Sequence, residues 1–167
     1  MLIPTFLRCR PLAMAAAALL GAAMHSSFAA DTSSASASAT PDTLTPVREQ
    51  IAAKQWPLAI AELQRINDTA SADWNNLMGF SLRKSTPPDL AGSEKFYTEA
   101  LRIDPKHKGA LEYSGELYLI KGDLASAEKR LAALDKLCLL PCEEYADLKK
   151  AVERFKSNGS KAAASSY

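Results

Sequence analysis

Two cysteines four positions apart, in Cys138-Leu-Leu-Pro-Cys142, are the residues of this 167-residue chain best suited to chemistry. Three chemistries fit them. Across a tight turn, cysteines at this spacing reach bonding separation, and a structural disulfide would fix the angle between the elements on either side. A thiolate at a helix start is stabilised by the helix dipole, so Cys142 could be the reactive member of a redox pair. Against that reading, thiol oxidoreductases usually place two residues between their cysteines and build on strands that this sequence does not show. Paired thiolates also suit Cu(I), but no His or Met cluster near the pair completes a site. His107 stands in a turn between Lys106 and Lys108, with no nucleophile or second ligand beside it in sequence, and reads as an exposed turn histidine. No His-Glu-x-x-His, Gly-rich phosphate loop or Ser/His/Asp set occurs, so no catalytic, cofactor or metal site is expected.

Which chemistry the pair can do depends on the compartment, and the start of the chain bears on that. Arg8 and Arg10 precede the 13-residue apolar run Leu12 to Met24, and small residues follow around Phe28-Ala29-Ala30. This is the plan of a cleavable secretory signal over residues 1–30, too short for the roughly 20 apolar residues of a membrane anchor. A periplasmic or secreted location is therefore expected. Cleavage would remove Cys9 and His25, leaving Cys138 and Cys142 as an even pair where disulfides persist. It would also leave 18 Lys and Arg against 19 Asp and Glu, a formal charge of −1 in place of +1. A balance so near neutral offers no footprint for nucleic acid.

Residues 31–43 carry no large apolar side chain apart from the boundary with Leu44, and read as a disordered linker; the tail 157–167 is similar. Between them, over 44–156, apolar residues recur every three or four positions and period-two alternation is absent, which predicts helices throughout. The pattern also repeats. Ala59, Ser93 and Ala127 are small residues 34 apart, followed in step by Leu63, Tyr97 and Leu131 and then by Ile66, Ala100 and Leu134. Val47, Met78 and Gly115 precede the small residues by 12, 15 and 12, so the middle unit carries three extra residues in the turn at Ser85-Thr-Pro-Pro-Asp89. A final helix with Tyr145, Leu148, Val152 and Phe155 on one stripe is expected as a cap, opened by Pro141, with Glu143, Glu144 and Asp147 on its solvated face. One continuous apolar seam is expected to join the pairs.

These residues resemble the tetratricopeptide repeat family. Trp74, Leu77, Tyr97, Ala100 and Pro105 occupy the family's aromatic, aliphatic, aromatic, Ala and Pro slots; Gly115, Tyr118, Lys121-Gly122-Asp123, Ala127 and Leu131 match the next repeat. The first unit is degenerate, with Pro46 and Pro57 in its helices. The resemblance implies an all-α fold, a right-handed α-α superhelix of about three helix pairs plus the capping helix. It further implies a concave groove on the first helices, where Asn75, Asn76, Arg83, Glu112, Glu116 and Leu119 would be the exposed partner-binding residues. Glu112 and Glu116 have the wrong sign for an acidic tail, so a neutral or basic extended segment is the expected ligand. On this reading the chain is a protein-binding scaffold or adaptor, without cofactor and not an enzyme, whose stacking ends could also self-associate. The alternative is a thiol or copper handling protein centred on Cys138 and Cys142.

Overall fold

The computed structural model describes residues 42–158 apart from Pro141. The expected signal, nearly all of the linker, the proposed helix-opening role of Pro141 and the tail from residue 159 lie outside the described residues. Within them the chain forms seven helices and no strand: α1 (Thr45–Ala52), α2 (Trp56–Ile66), α3 (Ala72–Lys84), α4 (Leu90–Ile103), α5 (Lys108–Ile120), α6 (Leu124–Leu137) and α7 (Glu143–Asn158). None is long and apolar enough to cross a membrane. The all-α expectation holds.

Local chemistry sets the helix ends. Pro46 and Pro57 sit in the first turns of α1 and α2, where a missing N–H costs nothing. Ser71, Asp89 and Asp123 cap α3, α4 and α6, accepting hydrogen bonds from the backbone N–H of Trp74, Gly92 and Ser126 at 3.2, 2.8 and 3.0 Å. Asn67 closes α2 in the left-handed conformation its side chain tolerates, and Gly122, at φ +79°, turns the chain between α5 and α6. α4 stops at Ile103, just before Asp104-Pro105.

Helices pair in sequence, α1 with α2, α3 with α4 and α5 with α6; α2 packs on α3, α4 on α5, and α7 covers both α5 and α6. The 34-spaced residues mark the close approaches: Ala59, Ser93 and Ala127 are all fully buried. Two glycines allow further tight contacts. A Cβ at Gly79 would lie 2.8 Å from the Tyr97 ring and 3.1 Å from the Ser93 carbonyl, and one at Gly115 would lie 2.5 Å from Leu148 of α7. Leu148 and Val152 are buried, with Tyr145 and Phe155 packed beside them, so the apolar stripe of α7 faces the body as expected.

The single apolar seam is not what forms. One cluster gathers Leu44, Val47, Ala59, Leu63, Trp74 and Met78; a second gathers Leu111, Leu119, Ala127, Leu134, Leu148 and Val152. Between them the contact is aromatic and polar. Phe80, Tyr97 and Tyr113 meet there around the buried side chain of Arg83, with Ser81 also buried nearby on α3. Ser81 donates its hydroxyl proton to the Leu77 carbonyl at 2.8 Å, which satisfies it within its own helix.

Candidate binding cleft

The first helices of the second and third pairs, α3 and α5, carry an unusual number of buried polar groups. The most buried charged side chain among them is Arg83, only 3 % exposed. Its guanidinium lies 5.4 Å from the centre of the Phe80 ring and 5.6 Å from that of Tyr113, and forms an ion pair with Glu116 at 2.8 Å. Burial alone would discourage the Arg83 charge, but Tyr97 and Glu116 more than offset it and hold its pKa above the ordinary value. Burial likewise pushes up the Tyr97 hydroxyl, which has no well-aligned hydrogen-bond partner. Arg83 thus supplies the counter-charge that Glu116 needs. Such pairs tolerate burial only while both partners remain.

One helical turn before Glu116, Glu112 has no such counterpart. It is 9 % exposed, and its side chain makes neither hydrogen bond nor ion pair among the described residues. It lines a cavity of about 260 Å³ together with Asn76 and Leu77 of α3, Gly109 and Tyr113 of α5, and Glu143, Glu144 and Asp147 of α7. Burial, then the charges of Glu116, Asp147 and Glu144, push the Glu112 pKa up to about 8, with Arg83 acting weakly the other way. The same surroundings, burial first and Glu112 and Glu116 after it, lift the Tyr113 hydroxyl to about 12. Asn76 is 6 % exposed, and its amide oxygen also lacks a partner. Gly109 lets it sit close, since a Cβ there would fall 3.1 Å from the Asn76 amide nitrogen.

The groove residues expected from sequence therefore divide. Asn76 and Glu112 do line one cavity. The others are not the exposed surface expected. Asn75 is buried and donates to the carbonyls of Thr69 and Ser71 at 2.9 and 2.8 Å, tying down the loop before α3. Arg83 is buried and bound to Glu116, and Leu119 belongs to the second apolar cluster. The physical reason is that α5 is covered on several sides, by α4, α6 and α7 and in part by α3, so little of its circumference is left for solvent. On α7, Glu143 and Asp147 are exposed, as expected of its polar face, and Glu144 is half-buried; all three also line the cavity.

His107 is not an exposed turn residue either, its side chain being 13 % exposed. Its Nδ1 accepts from the Ala110 N–H at 3.1 Å, so Nε2 carries the proton and donates to Asp73 at 2.9 Å. The two residues are one repeat length apart and link the starts of α3 and α5. That 34-residue spacing was the signal available in the sequence.

Cys138 and Cys142 are joined in a disulfide, with Cα atoms 5.8 Å apart. The bond ties the end of α6 to the start of α7 and leaves Leu139 and Leu140, 96 % and 81 % exposed, on the intervening loop. Among the described residues, no three His, Cys, Asp or Glu side chains are grouped so as to hold a metal ion. No protein-family model and no curated protein matches the chain.

Proposed function

We propose that the chain is a tetratricopeptide-type scaffold of the cell envelope, a right-handed stack of helix pairs that binds a segment of another protein in the cleft between α3, α5 and α7. The observation that carries this reading is the buried amide oxygen of Asn76, which has no hydrogen-bond partner, beside the largely buried Glu112, whose side chain lines the same cavity with no hydrogen bond or ion pair among the described residues. Buried polar groups ordinarily find hydrogen bonds inside a fold, and groups left unmatched beside a cavity are those a ligand would complete. Three further features support it: consecutive helix pairs, buried small residues at 34-residue spacing, and a last helix packed on α5 and α6. The role is binding, not catalysis, with the expected linker giving the folded part reach. The thiol or copper alternative draws less support, because both sulfurs are engaged with each other.

Affinity capture from the organism's own envelope tests the proposal. The wild-type chain should retain a partner that Glu112→Lys with Glu144→Lys loses. Identical proteins on both baits, or none on either, would refute it.

A further inference from the structure

The cavity also indicates what kind of group enters it. We propose that it accepts one long basic side chain, a lysine, from the partner segment; this rests on the scaffold reading above and specifies its ligand. Glu116 and Glu112 are successive turns of one helix, both beside Tyr113, and the chain itself provides Glu116 with a cation flanked by two aromatic rings. Glu112 stands in similar surroundings, buried, next to an aromatic ring, with no cation paired to it among the described residues. Removing a carboxylate from water is costly unless a charge partner comes with it. A cation arriving from outside would make the same arrangement at Glu112 that Arg83 makes at Glu116.

Size and directionality narrow the ligand. A cavity of about 260 Å³ falls below the roughly 300–1,000 Å³ typical of small-molecule sites, and suits one extended side chain. Its carboxylates come from two helices, Glu112 from α5 and Glu144 and Asp147 from α7, with Asn76 of α3 beside them. An ammonium group has three donors and can turn to meet acceptors from several directions, whereas a guanidinium offers a planar fork suited to one coplanar partner. The carboxylates are not grouped to chelate a metal ion, which favours an organic cation. Leu77 and Tyr113 give the methylene stem apolar wall to lie against. Binding should also release a proton near neutral pH, because Glu112, held up to about 8 by burial and by Glu116, Asp147 and Glu144, would ionise as the ammonium arrives.

The test is a titration of the full chain, ¹⁵N-labelled and purified from its own cells, with a blocked Gly-Gly-Lys-Gly-Gly peptide and with its acetyl-lysine counterpart, followed by amide shifts. The lysine peptide should move Asn76, Gly109, Glu112 and Glu144 and bind about tenfold more tightly than the acetylated one, a difference of about 1.4 kcal/mol. Glu112→Gln and Glu144→Gln should each weaken it several-fold. Proton release should appear as a heat that varies with the ionisation enthalpy of the buffer. Equal binding of the two peptides would overturn the lysine proposal and leave a segment-binding cleft in place. Absence of shifts at the cavity with either would also overturn it. Butylammonium, run alongside, separates the sources: weaker binding than the peptide supports a partner segment, and equal binding assigns the cavity to free amines and overturns the partner clause. Failure of the scaffold reading itself shows separately, as no partner captured by the wild-type chain.

Discussion

Glu112 is where side-chain chemistry and stability meet. Its proton is held in the fold to about pH 8 against an ordinary value of 4.5, so the native state keeps a proton that the unfolded chain has already lost. The resulting stabilisation is complete below about pH 4.5 and is lost as pH rises through 8. Glu112→Gln keeps the neutral form at every pH. Chemical denaturation should therefore find the variant more stable than wild type at pH 9 by about 1–2 kcal/mol relative to the difference at pH 4, a figure discounted from the full shift because the cavity opens to solvent. A difference that does not change with pH would contradict the environment described for this carboxyl. The place of Glu112 at the cavity was partly legible in the sequence, since the resemblance put it among the groove residues. That of Asn75 was not. Adjacent asparagines on a helix point in different directions, and only the path of the preceding loop decides that Asn75 ties backbone while Asn76 meets the cavity.

Among the elements, α7 has the largest effect on the cleft. It was legible as an amphipathic cap from Leu148 and Val152, but the use of its polar side was hidden, because periodicity shows which face is apolar and says nothing of what the opposite face leans over. Its placement rests on Gly115, whose lack of a Cβ admits Leu148, and on the disulfide that anchors its start. Closing so short a loop constrains the unfolded chain by about 2 kcal/mol. Reduction, or Cys138→Ser with Cys142→Ser, should lower stability by up to that amount. Amide hydrogen exchange should then quicken in α7 more than in α3 or α4. Uniform quickening across all helices would mean that the bond serves the whole fold and not the cap.

For the whole molecule, the 34-residue recurrence made the order of the helices legible, and Ala59, Ser93 and Ala127 lie at buried crossings as that recurrence requires. The division of the core did not show. Tyr97 satisfies the large slot of the pattern, yet it helps to form an aromatic and polar joint around Arg83, and a pattern of sizes cannot tell such a joint from an apolar one. Val47 and Val152, both essentially buried, lie in different clusters and share no partner. Val47→Ala and Val152→Ala should each cost about 1–3 kcal/mol, and the double variant should equal their sum to within about 0.5 kcal/mol. A larger interaction energy from urea unfolding would show one core in place of two.

Among the described residues, Glu112 is a largely buried carboxyl in an acidic cleft, with no side-chain hydrogen bond or ion pair of its own. The side-chain carboxyl carbon of Glu112, followed by ¹³C NMR through a pH titration, reports on this setting most directly. The midpoint should lie near 8 and fall when the lysine peptide is present. A midpoint in the ordinary carboxylate range, unmoved by the peptide, would contradict that setting.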